Sequence, residues 1–179
     1  MERYKNKNPN STARVREQMI GHLPRLRRFA YALTGSPADA DDLLQGTVER
    51  VLSKGVPEDA NVLKWMYRVS RNLWIDEIRS RSRGPEYSDP AAVADTAEDP
   101  GQGETATHDR LDLDGAHGAM QKLSVEQRQV LALVALEQYS YRETAEILEI
   151  PIGTVMSRLT RARTRMAQLL DWRDTSSDN

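Results

Sequence analysis

Four side chains in one predicted helix, Trp65, Arg68, Asn72 and Arg79, combine chemical groups that a solvated surface rarely carries together. Their spacing places them on one face of a helix over 63–84. Indole and guanidinium planes can stack on flat groups, guanidiniums bind anions, and an amide both donates and accepts hydrogen bonds. A surface helix would more usually carry Glu and Lys, so this face is a candidate binding surface.

The same helix carries an apolar stripe beside that face, formed by Val62, Met66, Val69 and Leu73. This spacing is typical of the buried side of a helix, so we expect the stripe to pack on a core. Trp65 is open to two interpretations, because a tryptophan at a core boundary is often part-buried with its N–H bonded. It either anchors the helix or contacts a ligand.

A second candidate surface lies in the stretch YSYRETAEILEIPIGTVMSRLTRARTRM near the C-terminus. The pattern predicts a short helix over 141–148 and a longer one over 154–170. Pro151 and Gly153 interrupt the helical pattern between them, and both residues favour a tight turn. This arrangement is typical of a helix-turn-helix.

The longer helix separates into an inward and an outward face. Val155, Leu159, Ala162 and Met166 share one side and are expected to pack inward. No acid occurs from Gly153 to Leu170, and small hydroxyls with arginines suit contacts in a DNA major groove. A solvated basic helix is the simpler alternative. The candidate DNA-binding residues are Ser157, Arg158, Thr160, Arg161, Arg163, Thr164 and Arg165.

The charge distribution divides the chain into three parts. The net charge is only −2, but 84–114 contains nine acids and one base, so the rest of the chain is basic. Residues 85–110 are rich in Pro and Gly, contain one aromatic residue, and read as a flexible acidic linker. Simple solubility of a disordered linker would explain its acidity.

The remaining pattern predicts an all-α fold of two small helical domains joined by that linker. Helical periodicity covers 13–34, 37–53, 61–83 and 111–170, whereas residues 1–12 are expected to be disordered. No stretch alternates as a strand does. Capping boxes are expected at Ser36, Ser124 and Ser140, each with a partner three residues later.

Composition argues against several functional classes. The chain has no cysteine and only three scattered histidines, so we expect no metal site. It has no phosphate loop and no nucleophile motif, so we expect no cofactor and no enzymatic activity. The polar first residues lack the apolar region of a signal peptide, and no apolar run of membrane-spanning length occurs. We expect a soluble protein of the cytoplasm.

Two blocks of the sequence resemble the extracytoplasmic-function (ECF) sigma factors of bacterial RNA polymerase, in the sigma-70 family. LSVEQRQVLALVALEQYSYRETAEILEIPIGTVMSRLTRARTRM (123–166) resembles the last domain of that family. LPRLRRFAYALTGSPADADDLLQGTVERVL (23–52) and WMYRVSRNLWIDEIRSRSR (65–83) resemble its first domain. The blocks occur in the family's order, which a single helix-turn-helix would not explain.

The resemblance implies an alternative sigma factor that confers promoter specificity on core RNA polymerase and promotes DNA opening. The first domain, 13–84, would bind the β′ clamp helices and the −10 element. The last domain, 111–172, would bind the −35 element and the β flap, and the linker would run toward the RNA exit path. The family also implies an anti-sigma factor as a partner, which would cover these faces and hold the domains together.

The resemblance assigns the first candidate surface to the −10 element. Asn72 would help to receive a flipped base, and the loop over 53–61 would shape the pocket and set base preference. Asp76 has a simpler interpretation as a partner for an arginine within the domain. The complete −10 set is Trp65, Arg68, Asn72, Arg79, Arg81 and Arg83, in which the arginines neutralise phosphates.

The resemblance also marks the block DADDLLQ as the docking surface for core polymerase. It implies contacts from Asp41, Asp42, Leu44 and Gln45. An acidic first turn favoured by the helix dipole is the simpler alternative. Gly46 departs from the family, which usually carries an acid there, and this puts a contact at that position in doubt.

Two other functions remain open. A stand-alone helix-turn-helix regulator would explain 123–170 but not the first domain. A sigma mimic that titrates an anti-sigma factor would have no use for the arginines on both candidate DNA-binding helices.

Overall fold

The computed structural model describes residues 9–82 and 108–176, and the regular elements in these residues are helices. This confirms the all-α prediction. Among the described residues, no helix combines the length and apolar character needed to cross a membrane. The helices are α1 (Pro9–Thr34), α2 (Pro37–Lys54), α3 (Val62–Ser82), α4 (His108–Gln121), α5 (Val125–Leu131), α6 (Tyr141–Leu148) and α7 (Ile152–Ser176), with a π-helical turn (Ala132–Leu136) after α5.

The N-terminal helix is longer than predicted. Helix α1 begins at Pro9, so the expectation of disorder is wrong for residues 9–12, whereas 1–8 lie outside the described residues. Proline is favoured at a helix start because the first N–H groups have no partner within the helix. Helix α4 likewise begins at His108, inside the predicted linker, most of which lies outside the described residues.

The predicted caps form, but one of them differs in detail. Ser124 and Ser140 each complete a capping box with Gln127 and Glu143. The Ser36 hydroxyl accepts a hydrogen bond from the backbone N–H of Asp39. The Asp39 carboxylate lies 3.4 Å from Arg81 on α3, so a contact between helices takes the place of the second capping bond.

Helices α1, α2 and α3 form the first helical unit around a shared core. Phe29 of α1 packs edge-on against Tyr67 of α3, with ring centroids 4.8 Å apart. The predicted stripe on α3 is displaced, because Val69 and Leu73 are only half-buried. The side chains that face the core most directly are Val62, Leu63, Met66, Tyr67, Ser70 and Trp74.

Helices α4 to α7 form the second helical unit, in which α6 and α7 make the predicted helix-turn-helix. Helix α6 ends at Leu148, and the left-handed backbone of its C-cap residue Glu149 (φ 54°) turns the chain toward Pro151. Val155, Leu159 and Ala162 are buried and Met166 is half-buried, which confirms the predicted inward face of α7.

The two units pack against each other, and side chains of the second unit bond backbone carbonyls at the C-terminal end of α1. The backbone carbonyls of Ala32, Leu33 and Gly35 accept hydrogen bonds from the side chains of Gln121, Arg128 and His117 respectively. Cationic donors suit the last carbonyls of a helix. Burial in this contact lowers the pKa of Arg128 to about 10.

Gly35 is required where the second unit meets the end of α1. Its φ is +77°, a left-handed conformation that glycine adopts without strain. A Cβ at this position would lie 2.5 Å from Cδ of Gln121, so a side chain would also collide with the second unit.

We expect Ser140→Ala to lower the free energy of unfolding by about 1 kcal/mol, because it removes the hydroxyl that accepts from the Glu143 N–H and donates to the Glu143 carboxylate. Chemical denaturation followed by circular dichroism measures the change. Ser80→Ala is the matched control, since alanine is the better helix former at that exposed position within α3. Equal unfolding midpoints for the two variants would contradict the assigned cap.

Candidate nucleic-acid interface

An open depression of about 170 Å³ lies between the end of α2 and the outer face of α3. It brings together Trp65, Arg68 and Asn72, three of the residues predicted to meet DNA. Asp76 also lines it and makes no ion pair with any residue that the structure describes. The remaining lining residues are Arg50, Lys54, Gly55, Val69 and Leu73.

The position of Trp65 supports the anchoring role and also exposes part of the ring to the depression. Its half-buried side chain packs against the core and also lines the depression. The guanidinium carbon of Arg68 lies 5.6 Å from the centre of the indole ring, within the range of a cation–π contact. The ring therefore forms a fixed wall on which a flat group can lie.

Asn72 is exposed, and its orientation is set by Arg71. The Asn72 Oδ1 atom accepts a hydrogen bond from Nη1 of Arg71 at 3.1 Å. Nε of Arg71 donates to Oε1 of Gln129 in the second unit at 3.3 Å, and burial lowers the pKa of Arg71. One lone pair of the amide oxygen is engaged, so the second lone pair and both N–H groups remain with which Asn72 can bond a ligand.

Arg50 and Lys54 are functional candidates that sequence reasoning missed. Both side chains are exposed and line the rim of the depression opposite Trp65 and Asn72. Lys54 lies in the last turn of α2, where a basic residue ordinarily complements the helix dipole, and Arg50 is one exposed arginine among many, so neither type gave a separate sign of binding. Gly55 follows them with φ +81° and begins the loop that leads to α3.

The remaining arginines of the −10 set do not join this depression. Arg79 is exposed further along α3, and Arg83 lies outside the described residues. Arg81 faces another side, where it pairs with Glu77 at 2.9 Å and with Asp39 at 3.4 Å. Arg81 thus lies at the groove between α2 and α3 and not in the depression, and its predicted contact with a DNA phosphate stays a prediction.

Arg68 is engaged by the helix-turn-helix of the second unit. Its Nη2 donates to the carbonyl of Glu146 at 2.6 Å, and its Nε donates to the carbonyl of Ile147 at 3.4 Å. Nη1 lies 3.1 Å from the Glu149 carboxylate. The end of α6 thus rests on one edge of the depression.

The predicted outward face of α7 is accessible. Ser157, Thr160, Arg161, Arg163, Thr164 and Arg165 are exposed, whereas Arg158 is half-buried. The hydroxyls of Ser157 and Thr160 donate to backbone carbonyls within the helix, which leaves their oxygens free to accept hydrogen bonds.

Two apolar side chains also belong to this exposed surface. Ile152 is 50% exposed and Met156 is 51% exposed in the first turns of α7. The N-terminal residues of a recognition helix meet base edges, and apolar groups there can contact thymine methyls. Both are functional candidates that a pattern of polar and charged residues does not indicate.

The predicted polymerase-docking residues lie on α2, away from the depression. Asp41, Asp42 and Gln45 are exposed, whereas Leu44 is half-buried against the core. Arg27 binds Asp41 with an Nε–Oδ1 distance of 2.6 Å, and this hydrogen bond lowers the pKa of Asp41. A Cβ at Gly46 would make an ordinary 3.7 Å contact with Leu73, so packing does not require glycine there.

Comparisons with known proteins match both helical units. The family model for sigma-70 region 2 matches residues 20–84, and the model for sigma-70 region 4 matches residues 114–166. The two matches occur in order along the chain, one on each unit.

Two relatives and one solved structure are similar over most of the chain. The ECF RNA polymerase sigma factor EcfG of Rhodopseudomonas palustris is 34% identical over 89% of this chain and 86% of its own length. The ECF RNA polymerase sigma factor SigM of Mycobacterium tuberculosis is 34% identical over 86% of this chain and 76% of its own length. The sigma factor RpoE, in complex with the anti-sigma factor NepR from Bartonella quintana, is 30% identical, with a TM-score of 0.68 over 87% of this chain and 96% of that chain.

We expect the double substitution Arg50→Ala, Lys54→Ala to weaken binding of a labelled, mixed-sequence 12-nucleotide DNA single strand. Loss of two phosphate contacts should also lower the slope of log affinity against log salt by about 1.4. Fluorescence anisotropy at several salt concentrations measures both quantities. The control, Arg16→Ala with Lys122→Ala, removes the same charge from exposed positions elsewhere. Equal slopes for the two double variants would exclude Arg50 and Lys54 from the binding surface.

Proposed function

The chain belongs to the family of ECF RNA polymerase sigma factors, and from this premise we propose how its surfaces share the work of transcription initiation. Two separate surfaces suited to DNA occur on one chain, and this observation carries the proposal. One is the depression between α2 and α3, and the other is the exposed basic face of α7.

The depression on the first unit is proposed to receive the unstacked −10 strand. Trp65 offers a stacking wall, and the amide of Asn72 bonds the edge of a base. Arg50 and Lys54 neutralise neighbouring phosphates, and Arg68 does so when it is released from the second unit. Arg79 extends the basic surface, while the loop after α2 sets base preference.

Helix α7 is proposed to read the −35 element in the major groove. Arg161, with the six other predicted residues of α7, provides contacts to bases and phosphates. Ile152 and Met156 add apolar contacts at the start of the helix. A duplex bound at this helix and a single strand bound at the depression together define a promoter with two elements.

The exposed acidic surface of α2 is proposed to dock on the β′ clamp helices of core polymerase. Asp41, Asp42 and Gln45 supply the polar contacts, and Leu44 contributes from the edge of the core. We assign residues 13–84 and 111–172 to the two sigma domains and 85–110 to the linker between them, with the last domain also contacting the β flap. The polymerase performs the chemistry in the bacterial cytoplasm, and the chain itself is proposed to have no enzymatic activity.

An anti-sigma factor is a further proposed partner. The sigma factor RpoE, which is 30% identical to this chain, was solved in complex with the anti-sigma factor NepR. A protein of the same kind would cover the DNA-binding and polymerase-binding surfaces described above.

Run-off transcription with core polymerase on fragmented genomic DNA tests the function directly, because it also identifies a promoter. On that promoter, we expect Asn72→Ala and Arg161→Ala each to reduce initiation by about 10- to 100-fold, since a good base contact contributes about 1–3 kcal/mol. A template with a pre-opened −10 region should restore much of the activity of Asn72→Ala but not that of Arg161→Ala.

Arg16→Ala, on the exposed face of α1, serves as the control and should initiate normally. Equal transcription with and without the protein would refute the sigma function. A specific duplex held tightly without polymerase would instead favour a stand-alone regulator, and normal biological activity of Arg161→Ala would favour a sigma mimic.

We expect Asp42→Lys to weaken the affinity for core polymerase by at least about tenfold, because like charges at an interface cost several kcal/mol. Fluorescence anisotropy of the labelled chain, titrated with core enzyme, measures the affinity. Glu17→Lys makes the same change of charge on the exposed face of α1. Equal losses in the two variants would show that net charge, rather than the α2 surface, governs docking.

A further inference from the structure

A fully buried carboxylate joins the two helical units. The side chain of Glu137, in the second unit, is 0% exposed. Its Oε2 accepts hydrogen bonds from Nε of Arg25 at 2.8 Å and from the Tyr67 hydroxyl at 2.6 Å. Its Oε1 accepts from Nε of Arg28 at 2.8 Å. All three donors lie in the first unit, on α1 and α3.

The backbone around Glu137 departs from regular helix. The π-helical turn ends with the Glu137 N–H bonded to the carbonyl of Ala132 at 3.0 Å. Gln138 follows with φ 58°, a conformation that is strained for a residue with a side chain. Backbone irregularity of this kind persists where surrounding contacts hold it, and it often marks a functional position. Here it turns the Glu137 carboxylate toward the first unit.

The charges around Glu137 stabilise the contact between the two units. Burial alone would raise the pKa of Glu137, but hydrogen bonds from Arg28, Tyr67 and Arg25 outweigh it and hold that pKa below its ordinary value. Burial, together with the neighbouring Glu137 carboxylate, raises the pKa of Tyr67. The carboxylate is therefore ionised at neutral pH, and the two arginines are its counter-charges.

A second row of contacts closes over the edge of the −10 depression. Lys64 lies 3.2 Å from Glu143 and 3.5 Å from Glu146, both on α6. Beside them, Arg68 donates to the carbonyls of Glu146 and Ile147. These contacts and the Glu149 carboxylate engage three of the five N–H groups of Arg68, which leaves it fewer donors and less unpaired charge for a DNA phosphate.

We propose that Glu137 latches the chain in a closed, autoinhibited state in which α6 competes with the −10 strand for Arg68. The competition rests on the proposed function of the depression, whereas the latch rests on the contacts of Glu137 alone. Binding of the strand then requires the latch to open, and a partner that binds either unit only in the open form promotes strand binding.

Fluorescence resonance energy transfer tests the latch first, because its efficiency reports the distance between the two units. The chain has no cysteine, so Gln18→Cys on α1 and Gln168→Cys on α7 accept a donor and an acceptor dye specifically. In this labelled background, Glu137→Gln and Tyr67→Phe should lower the transfer efficiency, because each weakens the bonds between the units. The matched controls are Glu126→Gln, on the exposed side of α5, and Tyr141→Phe, on α6, and both should keep the efficiency of the parent chain.

Circular dichroism of each variant shows whether its helices remain folded. Tyr67→Phe keeps the buried ring and removes only the hydroxyl, so it tests the latch even if Glu137→Gln disrupts folding. Unchanged transfer efficiency in folded Glu137→Gln and Tyr67→Phe would overturn the latch.

The competition is tested by binding of the non-template −10 strand from the promoter that run-off transcription identifies. Only the open fraction binds, so Glu137→Gln should raise the apparent affinity at least about tenfold over the parent chain, and the controls should not. A lower transfer efficiency without a gain in affinity would refute autoinhibition at Arg68. Failure of every variant to bind any strand would refute the proposed −10 site, and the transfer efficiencies would still decide whether Glu137 holds the units together.

Discussion

An ionised carboxylate removed from water requires counter-charges, and for Glu137 both of them belong to another part of the chain. This requirement makes α1 the common support of the molecule. Arg25 and Arg28 of α1 neutralise Glu137, and the last carbonyls of the same helix receive Gln121, Arg128 and His117. The second unit is thus bound at two places along one helix, which fixes its angle as well as its position.

Two arginines beside the depression also contact the second unit. Arg68 and Arg71 lie beside the depression that we assign to DNA, yet both bond to residues of the second unit. The outward face of α7 remains exposed at the same time. This arrangement therefore affects the two proposed DNA-binding surfaces unequally, since it engages residues at the proposed −10 depression and leaves the proposed −35 surface accessible.

Local patterns predicted much of this structure. Helical periodicity identified the inward face of α7, and Ser124 and Ser140 identified two helix starts, because these features depend on residues close in sequence. Trp65, Arg68 and Asn72 were placed correctly on one surface for the same reason.

The features that sequence analysis missed depend on contacts between distant segments. Arg81 forms an ion pair with Asp39 on another helix. Arg50 lines the depression only because α2 and α3 pack together. Glu137 gave no signal at all, because its donors lie about 70 to 112 residues away. Its burial also depends on a π-helical turn that no simple periodicity predicts.

That turn makes the backbone path of a short segment a determinant of how the two units are arranged. A π-helical turn contains one residue more than the α-helical path it replaces. If the same residues continued as a regular α-helix, the side chain that follows would lie about 100° further around the helix axis. The carboxylate would then leave its two arginines, although no charged residue had been changed. A change that straightens Ala132–Leu136 into a regular helix would therefore open the proposed latch even though every residue at the interface is retained.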